Sequence, residues 1–135
     1  MNIRSASIAL LASLSLILAS NTAQAQNAPK FMQETYPSQA LEAAMQDLGA
    51  LQTPDAALTP KIRELVGLSV AATIPCQYCV YYHTKAATQF GASAAEIRET
   101  LAMAAQVRKW STVLNGSLYD MDAFRREIDD MFAGK

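Results

Sequence analysis

The chain is 135 residues long and carries a net charge of −1 at pH 7. That length suits one domain, and the near-neutral balance offers no basic surface for nucleic acid or anionic lipid. Its two cysteines are too few and too close together to frame a disulfide-stapled secreted fold.

The opening stretch, "MNIRSASIALLASLSLILASNTAQAQ", has one basic residue, Arg4, then an apolar run from Ile8 to Ala19 and the small-residue triplet Ala23-Gln24-Ala25. This is the three-part pattern of a secretory leader, with cleavage expected between Ala25 and Gln26. The apolar run is too short for a comfortable transmembrane span. No twin arginine precedes it, and no cysteine stands at the cleavage point to take a lipid. The expected mature protein is therefore periplasmic or secreted, free of the membrane, and about 110 residues long. Its charge becomes −2, because Arg4 is the one charge removed.

Residues 26–37 are polar, contain Pro29 and Pro37, and read as an arm. Ser38 is placed to cap a helix with Leu41, Ala44, Met45, Leu48 and Leu51 at helical spacing. "TPDAALTP" then reads as a loop. Thr59 and Pro60 form an N-cap and first helical position, and Ile62, Leu65, Val66, Leu68, Val70 and Ala71 give the next helix a broad apolar face that predicts burial. Lys61 and Arg63 read as solvated charges.

Pro75 predicts a break at Ile74 and takes the first position of a new helix, which puts Cys76 and Cys79 in its first turn. This helix runs to about Phe90 and stops at Gly91 in a left-handed cap. Ser93 to Glu96, "SAAE", is a capping box that opens a helix carrying Ile97, Leu101, Ala104, Ala105 and Val107. Asn115-Gly116 ends it. A last helix over Asp120 to Phe132 aligns Phe124, Ile128, Met131 and Phe132. No stretch alternates with period two long enough for a strand. The chain reads as all-α, one helical domain of about five helices over residues 38–135.

The chemistry concentrates in "PCQYCVYYH", residues 75–83, which holds both cysteines and the chain's single histidine. Cys76, Cys79 and His83 fall on one helical stripe. The amides and dipole at a helix start favour an anion, so a thiolate is stabilised there. If the chain turns back near Ile74, Glu64 and His83 reach the same height on neighbouring helices. Carboxylate, imidazole and thiol then form a relay of the kind that activates a nucleophile. The same four residues also suit a zinc site, and the cysteines alone suit a bracing disulfide, so these alternatives stand beside the redox pair. A covalent haem is disfavoured because Val80, not His, follows the second cysteine. Tyr78, Tyr81 and Tyr82 read mainly as packing, and Met45, Met103, Met121 and Met131 as core or interface fill.

Glu64, Cys76, Cys79 and His83 together give E-x11-C-x2-C-x3-H, flanked by "LVGLSVAA", "FGASAAEIRE" and a late "NG". Over Leu58 to Gly116 this resembles the alkylhydroperoxidase D-like branch of the carboxymuconolactone decarboxylase family. The resemblance implies an all-helical, homo-oligomeric enzyme that reduces peroxides or exchanges disulfides and needs no cofactor. It also implies an external dithiol or thioredoxin-like reductant. It makes Cys79 the residue that attacks peroxide, Cys76 its proton donor and resolving partner, and Glu64 and His83 the proton relay. Tyr78 departs from members with a histidine just before the second cysteine, and tyrosine is no base at neutral pH. The wider family also contains lactone decarboxylases and isomerase-like enzymes, an alternative activity, and a non-catalytic helical module is a third.

Overall fold

The computed structural model describes residues 27–134. The expected leader and its cleavage point lie outside the described residues. Six helices are present among them, and no strand: α1 (Lys30–Thr35), α2 (Ser38–Ala50), α3 (Pro60–Thr73), α4 (Gln77–Gln89), α5 (Ala94–Gly116) and α6 (Met121–Phe132). No described helix is long and apolar enough to cross a membrane. The described residues divide into two compact units, with the boundary between Ala56 and Ala57.

In the first unit, the polar arm is partly helical. Its short α1 follows Pro29 and carries a Lys30–Glu34 ion pair at 3.4 Å, one turn apart. Gln33 Nε2 donates to the Ala28 carbonyl at 2.6 Å. The expected cap at Ser38 moves one residue: Pro37 is the N-cap of α2, without a side-chain cap bond, and Ser38 is already helical. Leu41 is buried, whereas Leu48 and Leu51 are exposed.

In the second unit, α3 begins as its sequence dictates. Thr59 Oγ1 accepts from Ile62 N at 3.4 Å, and Pro60 holds the first position. The α3–α4 corner differs from the sequence expectation by two residues. Cys76 is the N-cap of α4 and Gln77 its first residue, so Pro75 precedes the helix instead of opening it. The cause lies in how α3 closes. Cys76 N donates to the Ala71 carbonyl at 3.0 Å, a bond of the helix-terminating type, and this ties Cys76 to the end of α3 before α4 starts.

At the other end of α4, Gly91 has φ +83°, with Ala92 N bonded to Ala87 O at 2.9 Å and Gly91 N to Thr88 O at 3.0 Å. That is the left-handed glycine cap expected from the sequence. The capping box also forms: Glu96 N donates to Ser93 Oγ at 3.2 Å and Ser93 N to Glu96 Oε2 at 2.7 Å.

The second unit buries little apolar bulk. Its buried apolar residues are Leu68, Ala71, Ala87, Ala92 and Ala104, so small side chains let α3, α4 and α5 approach closely. The broad burial expected for α3 is not observed. Leu58, Ile62, Val66, Val70 and Ile74, spaced every four residues, are each about half exposed and form one aliphatic ridge. Met103, Val107, Trp110 and Val113 on α5 are exposed as well, and so are Met131 and Phe132 on α6.

Candidate functional site: a disulfide and a part-buried carboxylate–imidazole pair

Cys76 and Cys79 are joined as a disulfide and half-buried at the head of α4. The cap position gives Cys76 a specific partner: its Sγ accepts from Cys79 N at 3.2 Å. One of the orphan amides of the first turn is thereby aimed at sulfur. Because Cys76 sits at the cap, only Cys79 and His83 share the helical face proper, one turn apart.

α3 supplies the acid. Glu64 is 4% exposed, the one buried charged residue among those described. Its Oε2 lies 2.7 Å from His83 Nδ1, across a connection of only three residues between α3 and α4. A carboxylate accepts, so Nδ1–H donates, and the neutral ring keeps Nε2 as its acceptor nitrogen. A buried carboxylate is costly unless hydrogen-bonded, and His83 provides that bond. Tyr82 meets the His83 ring edge-on, with centroids 5.1 Å apart.

One residue that the sequence did not single out enters the site. Gly67 lies beneath the imidazole: a Cβ there would fall 2.5 to 2.8 Å from three of its ring atoms. A glycine within an apolar helix was the available signal. Elsewhere on α3, Lys61 is over a third exposed, and its Nζ also meets Glu96 Oε1 at 2.8 Å, which links α3 to α5. That ion pair, then the Ser93 amide and hydroxyl, lower the Glu96 carboxyl to about 2. Tyr82 packs edge-on against His83 while half exposed. Arg63 Nη2 donates to the Leu58 carbonyl at 3.1 Å.

The tyrosines beside the disulfide do not pack inward. Tyr78 and Tyr81 are 80% and 68% exposed and present open aromatic surface on α4. Pro75, Gln77, Val80 and Tyr81 line a shallow groove with Ala72 and Thr84. Among the described residues no three of histidine, cysteine, aspartate and glutamate converge to hold a metal ion. The four candidate zinc ligands instead form two separate pairs, sulfur to sulfur and carboxylate to imidazole.

This arrangement sets a disulfide, an imidazole and a buried carboxylate on two adjacent helices. No curated protein and no solved structure gives a match. The family model of the carboxymuconolactone decarboxylase family matches residues 39–119, which include all four of these residues, and the chain belongs to that family.

Proposed function

We propose that the protein is an exported thiol oxidoreductase that reduces hydroperoxides or exchanges disulfides through Cys76 and Cys79. The observation that carries this reading is the bond at 2.7 Å between buried Glu64 and part-buried His83, one turn along α4 from Cys79. A bracing disulfide has no need of a buried acid that orients an imidazole, whereas an activated nucleophile does.

In the cycle, His83 Nε2 takes the proton of the reduced Cys79 thiol while Glu64 steadies the imidazolium. The Cys79 thiolate attacks the distal oxygen of a hydroperoxide; the O–O bond breaks, Cys79 becomes a sulfenic acid, and the departing alkoxide takes a proton to leave as alcohol. The Cys76 thiolate then attacks the Cys79 sulfur, the S–O bond breaks, and the hydroxide leaves protonated as water. An external dithiol supplies two electrons and two protons to reopen the disulfide. Cys79 N–H already donates to Cys76 Sγ, so Cys76 is the better leaving sulfur in that step.

The exposed ridge of α3 and the exposed apolar residues of α5 and α6 support self-association as the working form. A unit whose core is mainly alanine gains little stability from its own burial.

The test uses mature protein reduced with dithiothreitol, then freed of it and challenged with an organic hydroperoxide. The expected result is consumption of about one equivalent per Cys76–Cys79 pair and return of the disulfide. Cys79→Ser should abolish this, and Glu64→Gln or His83→Ala should slow it by about 10²- to 10⁴-fold. If reduced wild type spares the peroxide and Cys79→Ser matches it in disulfide exchange, the proposal fails.

A further inference from the structure

We propose that Gly67 is a positioning residue: its missing side chain is the seat on which the His83 ring lies flat against α3, within reach of Glu64. This deepens the function proposed above and rests on it for its catalytic consequence, though not for its geometry.

An ideal Cβ at Gly67 would stand 2.5 Å from His83 Cε1, 2.6 Å from Nδ1 and 2.8 Å from Nε2. Close approach to three ring atoms at once means that the imidazole face, not its edge, covers this position. Gly67 also follows Glu64 by three residues, so acid and seat occupy one face of α3. The helix therefore holds the ring in two ways. Glu64 Oε2 fixes Nδ1 at 2.7 Å, and the bare backbone at Gly67 fixes the ring plane. Tyr82 bounds the ring edge-on from its own helix. Among the described residues Glu64 is the one carboxylate in ion-pair reach of His83.

Glycine inside a helix is locally unfavourable compared with alanine. At the other helical glycines, Gly49 and Gly116, an added Cβ would meet nothing within 4 Å. Gly67 differs because a specific ring occupies the space. A methyl group there must displace the imidazole by several tenths of an ångström or more. The displacement bears on the nitrogen that meets Glu64 and on the aim of Nε2. Misplacement of a reacting group on this scale carries rate losses of up to about a hundredfold.

The test is Gly67→Ala, read in two ways. His83 is the only histidine, so its imidazole ¹⁵N resonances are unambiguous in uniformly labelled protein. They should move from their wild-type positions in the direction produced by Glu64→Gln. Hydroperoxide turnover of the reduced protein should fall at least tenfold in kcat with KM little changed. Should Gly67→Ala lower Tm, the same substitution in a His83→Ala background should be neutral or raise it, because the ring is gone and helix propensity favours alanine. Wild-type resonances in Gly67→Ala overturn the proposal, as does an equal loss of Tm in both backgrounds. If the resonances move but wild type itself consumes no peroxide, the seat stands and the peroxidase reading falls.

Discussion

His83 and Glu64 form a pair in which the two members are unequally expendable. Removing the imidazole leaves a nearly buried carboxylate without its partner; removing the charge from Glu64 leaves an amide that still hydrogen-bonds. His83→Ala should therefore destabilise the protein by about 1–3 kcal/mol, and Glu64→Gln by less, as read by urea denaturation. Leu118 makes a separate prediction. It has φ +53° and is 88% exposed, and it follows the Ser117 cap of α5, which ends at Gly116 as the sequence suggested. Tyr119 N bonds back to Leu114 O at 3.3 Å, so Leu118 fills the left-handed position that glycine usually takes. Leu118→Gly should raise stability by about 0.5–1 kcal/mol, measured in the same way, since it relieves backbone strain without losing packing. The spacing of Glu64, Cys76, Cys79 and His83 was legible because helical periodicity and a turn at Pro75 suffice to bring such positions together. The seat at Gly67 was not, because a glycine in an apolar helix looks the same whether it faces a ring, a backbone or water.

At the scale of elements, α3 and α5 are joined by a salt link as well as by alanine packing. Glu96 belongs at once to the capping box of α5 and to the ion pair with Lys61. Its carboxyl is lowered to about 2 from the ordinary 4.5, by Lys61 first and by Ser93 next. A depressed acid contributes stability that is fully present above its unfolded value and is lost as pH falls through its folded one. The contribution of Glu96 should thus be complete above about pH 4.5 and disappear towards about pH 2. Lys61→Met should flatten that part of an acid-unfolding curve, followed by circular dichroism, by lowering stability near neutrality and leaving it unchanged near pH 2; the loss is modest because both side chains are over a third exposed. The capping box and the Gly91 stop were readable from local sequence, since each depends on residues within one turn. The start of α4 was not, because it depends on how the last turn of α3 spends the Ala71 carbonyl.

For the molecule as a whole, the notable quantity is the apolar surface left uncovered. Leu58, Ile62, Val66, Val70 and Ile74 form a ridge one residue wide along α3, and α6 leaves Phe132 at 85% exposed. Periodicity correctly marked these positions as apolar, but it carries no information on what covers them. If copies of the chain cover them, Tm should rise with protein concentration and Val66→Asp should reduce the sedimenting mass to that of one chain. Sedimentation of wild type as a single chain at tens of micromolar would remove the support for self-association.

The amino-acid sequence by itself determined the helical architecture, the capping signals around α3, α4 and α5, and the register that sets a cysteine pair one turn from a histidine. Those features follow from local dihedral preference and a period of 3.6 residues, which act over a few neighbours. Tertiary structure alone decided that Cys76 caps α4, that Lys61 holds Glu96, that Gly67 seats the imidazole, and that most of α3's aliphatic face stays open. Each of those outcomes depends on which surface a second helix presents at contact distance. That is a property of packed pairs, and no single stretch of chain encodes it.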